Sequence, residues 1–124
     1  MKVNDCPFCQ NNREKIAENS TCFAMYDGYP VSKGHTLIIP NRHIETYFDL
    51  TNIERDMIFD LLAECKKRLD LKYKPDGYNI GINCGEAAGQ TVNHLHVHLI
   101  PRYKGDMENP RGGVRGVIPE RRLY

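Results

Sequence analysis

The sequence predicts an α+β fold in which one long helix packs on an antiparallel sheet. The chain has 124 residues, the size of one compact domain, and we treat residues 1–124 as a single domain. Two strand-like segments precede its one strongly periodic helical segment, and two or more follow it. This order is typical of an antiparallel sheet and not of alternating parallel βαβ units.

The strand-like segments are short and end at turn signals. Residues 22–26 form an apolar run that ends at Asp27-Gly28, and residues 35–39 are rich in β-branched side chains and end at Pro40. Residues 78–83 follow the turn Pro75-Asp76-Gly77, and residues 93–100 alternate between polar and apolar types. From about residue 103 to 124, the Gly-rich and basic composition predicts a tail of loop or extended chain that wraps the domain or a partner subunit.

The helix is predicted from residue 51 to about residue 71. Thr51 and Glu54 have the spacing of a capping box, in which each side chain bonds the other residue's backbone N–H. The apolar residues recur at helical spacing and predict one buried stripe, made of Met57, Ile58, Leu61, Leu62, Cys65 and Leu69.

Composition excludes several classes of partner. With 17 basic and 16 acidic residues the net charge is +1, which argues against a nucleic acid polymer. No apolar run reaches the ~20 residues of a membrane span, and the N-terminus lacks a signal-peptide pattern. We therefore expect a cytoplasmic protein that does not enter membranes. Its five cysteines are then thiols or metal ligands.

Three of the five histidines lie within five residues. On a strand, His94, His96 and His98 would share one face, and the intervening apolar residues would face the helix. A solvated face would contain mixed polar types, so this alternative is weak. One zinc shared by all three is excluded, because His94 and His98 would lie about 13 Å apart along a strand.

Phosphorus chemistry suits these imidazoles. A neutral imidazole can attack phosphorus and form a covalent intermediate, while a neighbouring ring hydrogen-bonds the leaving oxygen. The preceding segment from Gly85 to Val92 offers a flexible turn, an amide and a hydroxyl, which could bind phosphate oxygens or form an ordinary turn.

These residues resemble the histidine triad (HIT) family. Residues 89–102, GQTVNHLHVHLIPR, look like its signature, and residues 34–45 resemble the strand and segment before it. The resemblance runs from Cys6 to about Asp106 and is nearest to the fragile-histidine-triad and bacterial dinucleotide-hydrolase branches. It implies a sheet of about five antiparallel strands, one long helix, a shorter helical segment and a homodimer.

The resemblance also implies the roles of site residues. His96 would be the nucleophile, His98 would lie beside the scissile phosphate and leaving group, and His35 would support the triad. Gln90 would contact the phosphate, and Asp27 and Asn83 would lie near the ribose. The nucleotide site would also include Gly89, Thr91 and Val92. Asp27 stands where the fragile branch carries Asn.

A second site is expected at the N-terminus. Cys6-Pro7-Phe8-Cys9 has the spacing of a zinc knuckle at residues 6–9, although two free thiols are the alternative. Family members with such a pair bind zinc together with residues that correspond to His43 and His94. The resemblance therefore implies one structural zinc per chain, and we expect no organic cofactor.

The sequence thus predicts an enzyme that acts at the α-phosphate of dinucleoside polyphosphates or related conjugates through a nucleotidyl-histidine. Its partner would be a purine nucleotide or dinucleotide. One alternative is a nucleoside phosphoramidase or adenylyl-sulfate hydrolase. Another is a purine-nucleotide binding module without catalysis.

Overall fold

Within the part of the chain that the structure describes, five strands form one antiparallel sheet, and a single α-helix crosses one of its faces. The structure is a computed structural model that describes residues 5–10 and 13–124. Its elements are β1 (Ala17–Glu18), β2 (Cys22–Tyr26), β3 (Thr36–Pro40), α1 (Asn52–Tyr73), β4 (Gly77–Ile82) and β5 (Val97–Arg102). The described residues also form four short 3-10 segments: Tyr47–Asp49, Glu86–Ala88, Gly113–Val117 and Pro119–Arg121. The order of the strands in the sheet is β1-β2-β3-β5-β4. The predicted α+β architecture is confirmed.

The helix has the cap that its sequence predicts. The Glu54 N–H donates to Thr51 Oγ1 at 3.1 Å, and the Thr51 N–H donates to Glu54 Oε1 at 2.9 Å. The helix ends where Lys74 takes a left-handed conformation, with φ at 51°. Four residues of the predicted stripe are buried: Ile58, Leu61, Cys65 and Leu69. Met57 and Leu62 are half-buried at the border of the stripe.

The core lies between this helix and the sheet. Leu95, Val97 and Leu99 pack into the same cluster as the helix stripe, as their alternation with the histidines predicts. Each such side chain, when fully buried, contributes about 1.5–3 kcal/mol to stability. The opposite face of β5 carries His98 and stays half-buried, so it is available to a ligand.

Strand β5 is shorter than predicted, and this corrects the placement of two histidines. It begins at Val97, which pairs with Ile38 of β3, so His94 and His96 precede the strand. The Leu95 N–H instead donates to the carbonyl of Ile44 at 2.7 Å, beyond the end of β3. On the other side β4 ends at Ile82, which pairs with Val97, so the residues before Val97 have no strand to pair with on that side.

The tail is folded, which corrects the prediction of an extended chain. The 3-10 segments Gly113–Val117 and Pro119–Arg121 turn it back on itself. Arg115 holds this turn by donating to the carbonyls of Arg121 at 2.8 Å and Arg122 at 3.2 Å. The first of the two segments packs against β4, so the tail borders the sheet face that carries His98.

Candidate active site and metal centre

A cavity of about 500 Å³ opens over the sheet face that carries His98. Three of the four predicted catalytic residues line it: His35, His96 and His98. Most of the predicted nucleotide-binding residues line it too: Asp27, Asn83, Gly89, Thr91 and Val92. Of these residues His98 lies in β5, and the others lie in the loops next to β2, β3, β4 and β5, so the tertiary fold assembles a site from distant parts of the chain.

The environment of His96 leaves one ring nitrogen free to react. Its Nδ1 lies 2.9 Å from the backbone oxygen of His94, which can only accept, so Nδ1 carries the proton. In the neutral ring the nitrogen without a proton is therefore Nε2. The ring packs edge-on against Phe8, at 5.1 Å between centroids, and at the same distance against His98. These contacts hold the ring at the cavity wall.

His98 is oriented by a chain of hydrogen bonds that begins at a backbone amide. The Val31 N–H donates to His35 Nδ1 at 3.1 Å, so the proton of a neutral His35 lies on Nε2. That nitrogen lies 3.0 Å from His98 Nδ1 and donates to it. His98 in turn carries its own proton on Nε2, as a hydrogen-bond donor.

Burial keeps both of these rings neutral. It is the largest cause of a pKa of about 4 at His98, and the proximity of His96 and His35 lowers that pKa further. Burial also lowers the pKa of His35, although Asp27 opposes the effect. Asp27 Oδ2 lies 3.4 Å from His35 Nε2, and its Oδ1 accepts from the Tyr29 N–H. Asp27, His35 and His98 could together face a cation, but the hydrogen bonds already account for their geometry.

Gln90 is the predicted catalytic residue that the cavity lining lacks. Its side chain is buried, with Oε1 accepting from the Gly85 N–H at 2.8 Å. Its Nε2 donates to the carbonyls of Glu45 at 2.7 Å and Val92 at 3.1 Å. Both ends of the amide are thus bonded to backbone, and Gln90 braces the loop that carries Gly89, Thr91 and Val92.

The glycines of this loop have a conformational role. Gly85 has φ at 95° and Gly89 has φ at 92°, a region that other residues rarely adopt. No heavy atom outside the neighbouring residues lies within 4 Å of where a Cβ would stand at either position. The backbone of this loop is therefore open to close approach by a ligand.

Two residues that line the cavity, Phe8 and Arg13, were not predicted from the sequence. Phe8 belongs to the predicted knuckle, and its contact with His96 appears only once the N-terminus folds over residues 94–96. The Arg13 guanidinium lies against Gly28, so close that a Cβ there would stand 2.8 Å from Nη1. Among the described lining residues, Arg13 alone carries a permanent positive charge. No pattern around Arg13 indicates this position.

The predicted metal ligands also come together. One donor atom each of Cys6, Cys9, His43 and His94 lies within 4.8 Å of the other three. His94 Nδ1 is 3.3 Å from Cys6 Sγ and 3.5 Å from Cys9 Sγ, and His43 Nδ1 is 3.3 Å from Cys9 Sγ. Tetrahedral zinc at about 2.3 Å from sulfur and about 2.0–2.1 Å from nitrogen would set roughly 3.5 Å between such atoms.

The donor chemistry of this cluster fits zinc. The His94 ring is fully buried and donates its Nε2–H to the carbonyl of Pro40 at 2.8 Å, so the lone pair of Nδ1 faces the two sulfurs. This outer hydrogen bond is typical of a metal-ligating histidine. Burial raises the pKa of the Cys6 thiol, and a bound cation would counter this by stabilising the thiolate. Four protein ligands make a closed, structural type of site.

Comparison with known proteins gives consistent similarities. The family model described as the HIT domain matches residues 9–105. An uncharacterized HIT-like protein of Methanocaldococcus jannaschii is 38% identical over 110 residues, which cover 83% of each chain. A crystal structure of a HIT family protein from Bacillus anthracis superposes with a TM-score of 0.79 at 37% identity, covering 85% of this chain and 78% of that one.

A zinc-bound histidine triad family protein from Mycobacterium smegmatis has a TM-score of 0.75 at 31% identity, covering 85% of this chain and 80% of that one.

Within the described part of the chain, no helix is long and apolar enough to cross a membrane.

Some of the relatives have names that state an activity. An AP-4-A phosphorylase of Mycobacterium tuberculosis is 32% identical, and the match covers 73% of this chain and 47% of that protein. An asymmetrical bis(5'-nucleosyl)-tetraphosphatase of Schizosaccharomyces pombe is 40% identical, with 62% and 42% covered. The adenylylsulfatase HINT3 of Arabidopsis thaliana is 34% identical, with 83% and 55% covered. The HIT family model matches most of the chain, and both the sequence and the fold are similar to those of HIT proteins. The chain therefore belongs to the HIT family.

Proposed function

We propose that the protein is a nucleotidyl hydrolase that cleaves dinucleoside polyphosphates at an α-phosphate through a covalent intermediate on His96. The observation that carries this proposal is the hydrogen bond from His96 Nδ1–H to the carbonyl of His94 at 2.9 Å. In the neutral form of this cavity-lining ring the bond places the lone pair on Nε2, as a nucleophile requires.

The reaction has two displacements. The lone pair of His96 Nε2 forms a bond to the α-phosphorus as the phosphorus–oxygen bond to the leaving phosphate breaks, and the leaving oxygen keeps that electron pair. Water then attacks the same phosphorus, the nitrogen–phosphorus bond returns its pair to Nε2, and the proton of the water passes to the products or solvent. The His94 carbonyl stabilises the positive charge that the His96 ring gains while it is substituted on Nε2.

His98 has a distinct role beside this nucleophile. Its Nε2–H donates a hydrogen bond to the phosphate or to the leaving oxygen, where negative charge develops. His35 acts through His98 and is a positioning residue, because its own contacts are with Val31, Asp27 and His98.

The remaining lining residues bind the nucleotide. The loop of Gly89, Thr91 and Val92 offers backbone and hydroxyl donors to the phosphate, and Asp27 and Asn83 bind the ribose. Arg13 adds a positive charge that a polyphosphate would require at the same cavity. Gln90 holds the loop in place from behind.

The named relatives support this substrate class. The phosphorylase and the tetraphosphatase are named for dinucleoside tetraphosphates. Because this chain covers less than half of either protein, their substrates come here as a proposal. The adenylylsulfatase favours a second candidate, in which the same attack on the α-phosphorus expels sulfate.

The metal cluster has a structural role in this proposal. One zinc held by Cys6, Cys9, His43 and His94 would tie the N-terminal knuckle to the segment that carries the nucleophile. When bound, it would supply rigidity and charge balance for two thiolates. We also propose a cytoplasmic homodimer, to which the open edge of β4 and its half-exposed Ile80 would be suited.

The test is the variant His96→Ala with diadenosine tetraphosphate as substrate. We expect turnover to fall at least 1,000-fold, on the order seen when a covalent nucleophile is removed, while AMP binding and melting temperature stay close to wild type. Mass spectrometry of wild-type protein quenched during turnover should show a nucleotidyl adduct on His96.

Two outcomes would contradict the proposal. Undiminished turnover by His96→Ala would reject the nucleophile. Tight nucleotide binding by the wild type without turnover or adduct would instead indicate a binding module. Assays with adenylyl sulfate and adenosine phosphoramidate at equal concentration show which leaving group the enzyme prefers. Such assays are needed because a tenfold preference in kcat/KM corresponds to only about 1.4 kcal/mol.

A further inference from the structure

A second cavity, of about 510 Å³, lies beside the first and shares a wall with it. Val31, His35, Asn83 and His98 line both cavities. The two volumes are nearly equal, and each falls in the range of small-molecule sites. His98 therefore stands at a partition between two spaces of similar size.

The floor of the second cavity is formed by β4, the edge strand of the sheet, and its neighbour β5. In the register of β4 and β5, Gly81 stands opposite His98 and Asn79 opposite Ile100. Gly81 has no side chain, and nothing lies within 4 Å of where its Cβ would stand, so the space beside His98 is left free. Asn79 is held by Arg102, whose Nη1 donates to Asn79 Oδ1 at 2.7 Å. The floor is thus a fixed surface beside the triad.

The tail forms the outer wall. Val114 and Val117 line the cavity although they are 64% and 76% exposed. Arg122 Nη1 donates to the carbonyls of Asn109 and Arg111, which adds to the bonds from Arg115 that close the tail. These arginines hold two apolar side chains over the sheet, where an apolar group of a ligand could cover them.

We propose that this second cavity receives the leaving half of the substrate, and that this half ends in a planar, largely apolar group such as a second nucleobase. The inference rests on the proposed function. A phosphorus atom over His96 and His98 would have one half of the substrate in each cavity, on either side of the His98 Nε2–H. Two cavities of equal size favour a substrate with two bulky halves, which selects dinucleoside polyphosphates over conjugates with a small leaving group.

The experiment fills the second cavity without touching the first. Val117→Trp places a large ring where the leaving half would lie, and Ile118→Trp is the matched control because Ile118 is exposed and absent from the cavity lining. We measure the Kd of a methylene-bridged diadenosine polyphosphate analogue and of AMP for each variant by calorimetry, together with kcat/KM for diadenosine tetraphosphate.

The expected result is selective. Val117→Trp should weaken binding of the analogue at least tenfold and lower kcat/KM at least tenfold, while the Kd of AMP changes less than twofold. Ile118→Trp should leave both Kd values and kcat/KM close to wild type. Equal weakening of AMP and the analogue by Val117→Trp, or no weakening of either, would overturn the inference. Wild-type protein that binds neither molecule would show instead that the proposed function has failed.

Discussion

The His35 imidazole donates its Nε2–H to Nδ1 of His98 across 3.0 Å, and the proton is placed there because the Val31 N–H occupies His35 Nδ1. A backbone amide in the loop between β2 and β3 thereby decides which nitrogen of His98 can donate into the cavity. The tautomers of two rings follow from one loop conformation, and this relationship can be tested at His35, which does not need to touch the substrate.

Replacing His35 should disturb His98 more than nucleotide binding. In His35→Ala, His98 Nδ1 loses its donor, so we expect kcat for diadenosine tetraphosphate to fall about 10- to 100-fold with little change in KM. His35→Gln can present an amide N–H to the same nitrogen and should recover part of the loss. The nitrogen chemical shifts of the His98 ring would show the tautomer directly, and an unaltered spectrum and kcat in His35→Ala would contradict this role.

The neutral state of His98 predicts how stability depends on pH. Its pKa is about 4 in the folded chain, against an ordinary value of 6.5, so between these pH values the unfolded chain binds a proton that the folded chain does not. The free energy of unfolding should therefore fall as pH is lowered through this window. The variant His98→Asn should show a shallower decline than wild type in urea unfolding at successive pH values from 7 to 5. Parallel declines would count against a neutral, buried His98.

The metal cluster predicts the zinc content of the protein. A preparation made without added metal should contain about one zinc per chain. Cys6→Ser should lose most of this zinc and melt several degrees lower, because the knuckle would then lose its tie to His94. Cys84→Ser is the matched control, since Cys84 lies outside the cluster. Full zinc content in Cys6→Ser would reject the site.

The variant Gln90→Ala shows whether Gln90 supports the loop through hydrogen bonds or binds the phosphate of the substrate. Gln90→Ala removes partners from the Gly85 N–H and from two carbonyls, so we expect a loss of about 1–3 kcal/mol in unfolding free energy. The Gly85 amide should also exchange its hydrogen faster. A phosphate ligand would behave differently: AMP binding would weaken while Gly85 exchange stayed at the wild-type rate. Gln10→Ala, at an exposed position, serves as the control.

The ion pair of Arg42 and Glu54 predicts a stability effect away from the site. Arg42 donates from Nε and Nη2 to the two carboxylate oxygens of Glu54 at 2.9 and 2.8 Å, which lowers the pKa of Glu54 to about 2. Glu54 also caps α1, so Glu54→Gln should cost about 1–3 kcal/mol of unfolding free energy. Glu64→Gln breaks an exposed pair with Arg68 and should cost less than about 1 kcal/mol. Equal losses in the two variants would contradict this difference.

Local pattern was enough to predict the helix, its cap and most of its buried stripe. The spacing of apolar residues from Ile58 to Leu69 and the pair of Thr51 and Glu54 act within a few residues of one another, so the sequence contains the whole of their geometry. The alternation around His98 likewise predicted which side chains of β5 face the helix. The family resemblance added the set of residues that meet at the cavity and at the metal cluster.

Distant contacts decided the rest. Strand β5 begins at Val97, where its partner β4 ends at Ile82 and its pairing with β3 ends at Ile38, and periodicity in residues 93–100 has no information about these partners. The proton positions on His94 and His98 depend on the carbonyl of Pro40 and on the ring of His35. The side chain of Gln90 donates to the carbonyl of Glu45, 45 residues away, and does not line the cavity. A pattern of residue types predicts which groups are available, whereas hydrogen bonds between segments far apart in the chain decide where each of them points.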